Sequence, residues 1–344
     1  MKDFDKELVA YKGLIKKRLI FIAIFAFISF GFFIFDIATG PAQLDLAVVI
    51  KSLASKIFDF DMPKSSINIV YNIRLPMALM ALVVGAALGL SGALMQTILN
   101  NHLASPYTLG LSAAAGFGAS IVIAFDIGFA FASVPLGAFC TSFLSSLVLF
   151  LFAKRYHTET LVLVGIAILF LFQSLLSLVQ FLVSPETSQQ ILFWLFGSLT
   201  KANYTNISVV FVLTMGAYFW LLKDNWALSV FKMGEKNARV LGVNLKALRI
   251  KVLFCVCLVS SAAVSFVGVI GFIGLAAPHV ARILLGEDQR FFLPASMVIG
   301  AALLSLASCV SKLIIPGALF PIGIVTSFIG VPFFFYIILR NKHA

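Results

Sequence analysis

Residues 161–183 read LVLVGIAILFLFQSLLSLVQFLV, an apolar run without a single charge. At about 1.5 Å of rise per residue, a helix of this length crosses roughly 30 Å of hydrocarbon. A barrel strand would alternate apolar and polar side chains over about ten positions, and this run does not alternate. Inside lipid the backbone must satisfy its own hydrogen bonds, so the segment reads as a spanning helix.

Similar runs recur along the whole chain. Their spacing predicts about ten spans, near 19–36, 75–98, 109–125, 131–153, 161–183, 205–222, 248–267, 269–285, 293–312 and 321–339. The stretch 248–285 is one long apolar run, divided at Gly268, Gly271 and Gly274. The 344 residues are 61% hydrophobic and 11% charged, with mean hydropathy +1.07. Soluble domains carry roughly a quarter charged residues, so an ordinary water-soluble enzyme is excluded. The expected organisation is all-α and polytopic: a segment 1–18, one transmembrane domain over 19–340 and a tail of 341–344. The first apolar segment follows Lys12, Lys16, Lys17 and Arg18 with no small-residue cleavage site, so it reads as a retained span.

The net charge of +11 makes no aromatic-flanked basic patch of the kind a nucleic-acid site needs. Its distribution instead orients the chain. With both termini cytoplasmic, the inner segments hold nineteen of the 25 Lys and Arg. The outer ones hold Lys51, Lys56, Lys64, Arg74, Lys201 and Lys312. That asymmetry follows the positive-inside rule. Cys140, Cys255, Cys257 and Cys309 lie in apolar stretches and read as small buried groups. His102, His157, His279 and His343 show no metal-ligand spacing.

Two extramembrane stretches stand out. In the outer segment 37–73, Val49, Leu53 and Ile57 recur at helical spacing, as in a helix lying on the membrane face. The inner segment 223–251 is the longest polar insertion. It reads either as a solvated basic loop held by anionic lipid, or as a helix over Ala227–Leu241 capped at Gly242 and presented to a partner.

Gly85, Gly89 and Gly92 fall on one face of the second span, where small residues let helices approach closely. Within them, Gly89-Leu90-Ser91-Gly92 resembles the nucleophile motif of rhomboid intramembrane proteases. His279 is then the one candidate base on a later span. Polar groups inside spans are mild (Gln96, Gln173, Ser174, Ser177, Gln180), and no span carries a central Asp or Glu to relay protons. Gln173, Ser177 and Gln180 read equally as pathway-lining groups or as helix–helix hydrogen-bonding groups. The chain has no Gly-Lys dipeptide and hence no P-loop of the usual form, so any ATP must be bound by another subunit.

Several blocks resemble one family. They are Arg74-Leu75-Pro76 followed by VGAALGLSGALMQTILNN (84–101), and Pro106 to Gly110. Then come MGEKNARVLGVN (233–244), GFIGLAAPHVARILLGEDQRFFLP (271–294) and PIGIVTSFIGVPFFFYIILR (321–340). Together, and in this order from about residue 70 to the C-terminus, they resemble FecCD-type permeases. These are the membrane subunits of ABC importers for ferric siderophores, haem and cobalamin. The resemblance implies a type II ABC importer permease fold in a bacterial cytoplasmic (inner) membrane. It implies a second permease copy, two ATP-binding subunits that use the ATP, and an extracytoplasmic solute-binding protein. This chain would bind no cofactor itself. The cargo implied is a ferric siderophore, with haem, cobalamin or an oxyanion carried by the same scaffold.

Residue by residue, the resemblance implies a coupling helix at about 228–243, with Glu235, Ala238, Arg239, Leu241 and Gly242 touching the ATPase. It assigns the Asn101–Leu103 turn to the inner gate and Arg74 and Lys312 to binding-protein docking. Pro278, His279 and Arg282 would be structural. The chain departs from the family at Met77, where a second arginine is usual, at His102 in place of a proline, and at Ser105 in place of an acidic residue.

Overall fold

The computed structural model describes residues 2–42, 44–55, 62–127, 133–153, 158–315 and 317–341. Fifteen helices follow in order: α1 (Lys2–Ala38), α2 (Leu46–Ala54), α3 (Lys64–Ile69), α4 (Leu75–Ile98), α5 (Leu111–Ala124), α6 (Ser133–Ala153), α7 (Thr158–Leu182), α8 (Pro185–Leu195), α9 (Tyr204–Leu222), α10 (Asn225–Phe231), α11 (Glu235–Val240), α12 (Leu245–Val267), α13 (Ile273–Leu285), α14 (Gln289–Leu313) and α15 (Ile322–Asn341). No strand occurs among the described residues. Seven helices are long and apolar enough to cross a membrane, and three shorter apolar ones cover Leu111–Ala124, Ile273–Leu285 and Ile322–Pro332. Each expected span thus falls on a helix, but full crossing length stands behind seven of the ten.

α4 is the axis of the bundle, packed by α1, α9, α12, α13 and α14. Its glycine face explains how. A Cβ on Gly85 would strike the backbone of Gly300, one on Gly89 the carbonyl of Ser296, and one on Gly92 the carbonyl of Gly274. The spacing read as a packing stripe therefore brings α14 and α13 to backbone contact with α4.

The long apolar run breaks where the glycines stand. α12 stops at Val267, Gly268 adopts φ +76°, and the chain is non-helical until Ile273. Groups freed there find partners: Ser198 N donates to Val267 O at 2.7 Å, and Ile273 N donates to Gly271 O at 2.8 Å. An interrupted helix is tolerated in a bundle when neighbours re-satisfy its backbone in this way.

α2 differs from the sequence expectation. Val49 and the half-buried Leu53 pack against Ile37, Val70 and Ala78, so this apolar face turns to the protein and not outward. Ile57 lies outside the described residues. Cys140 is exposed, unlike the other three cysteines.

The largest departure concerns Arg74 and Lys312, read as outward docking charges. Both are buried. A π-helical turn, Val70–Arg74, aims the Arg74 guanidinium back at the end of α1. There it donates to Ile37 O at 3.0 Å, to Ala38 O at 2.7 Å and to Ala42 O. The last carbonyls of a helix lack intrahelical partners, and a cation satisfies them and complements the dipole. In the same last turn of α1, Asp36 is 0% exposed. Lys312 Nζ lies 2.9 Å from its Oδ1 and donates to its backbone O at 2.9 Å, while Ser308 Oγ donates to Oδ2 at 3.0 Å. The first span therefore does carry a buried carboxylate, at its end, and its partner is the lysine taken for a surface charge. This ion pair staples α1 to α14.

Breaking a buried pair on one side strands the other charge and costs about 3–5 kcal/mol, whereas replacing both partners by apolar groups is often neutral. Asp36→Asn is accordingly expected to destabilise the protein by about that amount in detergent unfolding. The double change Asp36→Leu with Lys312→Met should recover most of the loss. Equal damage from the double and the single variants would contradict the staple.

Candidate functional site: the basic end of the bundle

The insertion 223–251 folds as two short helices and not one. α10 ends at Phe231, Lys232–Gly234 form a turn with Gly234 at φ +105°, and α11 follows. α11 closes on Gly242 at φ +80°, with Gly242 N donating to Arg239 O and Val243 N to Ala238 O, both at 3.0 Å. This is the Schellman arrangement, which needs a residue free to adopt positive φ.

Of the five coupling residues inferred from the family, two face inward. Ala238 is fully buried, and Glu235 pairs with Arg249 on the first turn of α12. They hold α11 on the bundle instead of presenting it. Arg239, Leu241 and Gly242 are exposed. Beside them Val240 is 88% and Met233 69% exposed. Sequence reading passed over these two apolar side chains, although an apolar residue in so polar a segment was the available signal.

The turn after α4 is built by its asparagines. Asn100 adopts φ +43°, and the Asn101 carboxamide oxygen accepts from Leu103 N at 2.9 Å, which leaves Leu103 about half exposed. A cavity of about 390 Å³ lies between this turn and α10–α11, lined by Asn100, Asn101, Val162, Phe231, Gly234 and Glu235.

Charge ties these pieces together. Glu287, on the α13–α14 loop, places Oε1 2.8 Å from Arg282 Nε, 3.1 Å from Lys232 Nζ and 3.3 Å from His102 Nε2. Lys232 also donates to Asn100 Oδ1 at 3.1 Å, and Arg282 donates to Gln96 Oε1 at 2.7 Å. Next along the loop, Asp288 caps α14 and pairs with Arg18 of α1 at 3.0 Å. Burial opposes ionisation of Glu287, but the Lys232 and Arg282 charges and the hydrogen bonds they donate outweigh it and hold its carboxyl below the usual range. Burial, reinforced by the Arg282 and Lys232 charges, pushes the His102 imidazole down, against the pull of Glu287. His102 is therefore neutral near pH 7, and its departure from proline gives the turn a hydrogen-bonding group. Glu287, Lys232 and Gln96 had no shared sequence signature, since they lie far apart along the chain.

The remaining candidates are dispersed. Gln173 and Ser177 are exposed and Gln180 half-buried on α7, which packs mainly on α5 and α6. Ser91 is fully buried and its hydroxyl has no hydrogen-bond partner, so no base activates it. The protease reading finds no support.

A family model for the FecCD transport family matches residues 25–340. The chain belongs to that family. It is 36% identical over 276 residues to the probable iron chelatin transport system permease of Helicobacter pylori, covering 80% of this chain and 83% of that one. It is 35% identical over 277 residues to the hemin transport system permease of Yersinia pestis, covering 79% and 83%. A solved inward-facing structure described as a metal-chelate type ABC transporter superposes with TM-score 0.75 at 31% identity, covering 86% of this chain and 96% of the other. The chain is thus a multi-pass ABC transporter permease subunit with no catalytic role of its own.

Removing a buried, unpaired hydroxyl is neutral or stabilising. Ser91→Ala is expected to leave uptake by cells unchanged and the melting temperature equal or raised. A loss of uptake without a loss of folded protein would reopen a chemical role for Ser91.

Proposed function

We propose that this chain is half of the membrane pathway of an ABC importer, driving an iron chelate inward with energy from separate ATP-binding subunits. One observation carries the reading. The α10–α11 tip exposes Met233, Val240 and Leu241 beside Arg239, while Glu235–Arg249 and Lys232–Glu287 pin the same segment to the bundle. An exposed apolar ridge on an anchored cationic segment suits docking of a partner that pushes on it. ATP binding moves the tip, and rigid-body motion of the helices opens the pathway first to one side and then to the other. Two copies of the chain form that pathway. The exposed apolar and polar positions of α7, Gln173 and Ser177 among them, face it or the second copy, and Leu103 lies at its inner mouth.

The binding protein docks on the opposite end. Arg74 and Lys312 spend their donors inside the fold, so the exposed lysines there, Lys51, Lys64 and Lys201, steer the encounter through long-range attraction that weakens with salt. The cargo reading rests on the iron chelatin and metal-chelate descriptions of similar proteins. Haem is the second reading, favoured by the hemin permease. Cobalamin and oxyanions fit the same scaffold. Both termini and the α10–α11 end face the cytosol of a bacterial cell, as the excess of Lys and Arg there requires.

Val240 is 88% and Leu241 52% exposed, so Val240→Asp with Leu241→Asp should lower the melting temperature only slightly. It should weaken co-purification of the ATP-binding subunits at least about tenfold, as loss of a central apolar contact does. Retained association would sink the docking assignment. Cargo is settled by titrating the companion binding protein with a ferric siderophore, haem and cobalamin. Saturable binding of the ferric siderophore alone is expected, and preference for another ligand replaces it.

A further inference from the structure

Glu287 is unusual in serving three elements through one oxygen. His102 reaches it from the turn after α4, Lys232 from the turn between α10 and α11, and Arg282 from α13. A second link runs in parallel, from Ser229 Oγ on α10 to Gln289 N at 3.3 Å. Lys232 then passes directly to the α4 turn through Asn100, and Arg282 to the body of α4 through Gln96. The α10–α11 segment is therefore tied to the turn after α4 both through this carboxylate and through the Lys232–Asn100 bond.

The Glu287 side chain is 38% exposed, but its partners Lys232 and Arg282 are only 6% and 12% exposed, so the carboxylate neutralises two nearly buried cations. Without the carboxylate, Lys232 and Arg282 are two neighbouring cations that repel, and the tie through His102 is lost, leaving only the Lys232–Asn100 bond to hold the turn after α4.

We propose that Glu287 is the positioning residue that couples movement of the α10–α11 segment to the gate turn, acting through Lys232 and His102. The proposal rests on reading the tip as the ATPase docking site, and its test separates the two. The reporter is a bimane fluorophore on Leu103→Cys in a Cys140→Ser background, in the full transporter with its ATP-binding subunits in liposomes. The probe is MgATP with vanadate, so no cargo is needed. The starting chain should show a nucleotide-dependent change in bimane emission. In Glu287→Gln the change per trapped nucleotide should fall at least tenfold, with the ATP-binding subunits still bound. Lys232→Gln should do the same. Glu287→Asp should restore most of the response, and Lys246→Gln, which removes the same charge as Lys232→Gln at an exposed site, should behave as the starting chain.

An unaltered response in Glu287→Gln overturns the proposal. So does a parallel fall in subunit association and melting temperature, which would mark Glu287 as merely structural. A starting chain that binds the ATP-binding subunits yet never responds to nucleotide overturns the coupling reading itself, and this proposal with it. A starting chain that fails to bind them overturns the docking reading first.

Discussion

Gly85, Gly89 and Gly92 set the distance at which α13 and α14 meet α4, and every other contact in the bundle is arranged around that spacing. Because backbone faces backbone there, no side chain can shift to absorb an added Cβ. The tight face carries little polar chemistry and ends where Gln96 begins. From that point outward α4 holds the gate turn, and α13, pressed against it through Gly274, delivers Arg282 to Gln96. The functional end of the molecule is thus positioned by a stripe of residues with no side chains.

Charge is used differently at the two ends. At the end bearing α2 and α3, Arg74 and the Asp36–Lys312 pair are withdrawn into the fold, where they close the end of α1 and join it to α14. Deep burial makes them firm, since separating them leaves an uncompensated charge in a poor solvent. At the other end Glu287 and His102, 38% and 50% exposed, meet the nearly buried Lys232 and Arg282. The carboxylate there is open to solvent, unlike that of Asp36.

Much of this was legible from residues alone. Periodicity located every apolar helix, because a lipid-facing helix must be apolar along its whole length. The glycine face of α4, the break after Val267 and the cap at Gly242 each depend on a local backbone requirement that one residue type meets. The reading of Arg74 and Lys312 went astray because a basic residue outside a hydrophobic run looks the same whether it points to water or back into the protein. The single helix expected over 227–241 went astray at Gly234, whose positive φ turns the chain midway. Val240 and Met233 were passed over because, in a charged segment, only the fold shows which apolar groups are left uncovered.

Composition and spacing by themselves determined that the chain is a helical membrane protein, that it is basic at one end and that any ATP must be bound by another subunit. These follow from short-range physics: transfer of side chains to lipid, local backbone freedom and the absence of a phosphate-binding loop. Only the tertiary structure decided which charges meet. His102, Lys232, Arg282 and Glu287 are separated by up to 185 positions along the chain yet converge on one oxygen, and Asp36 finds Lys312 from opposite ends of the sequence. Electrostatic partners are chosen by distance in space, which the packing of α4 sets and no local pattern records.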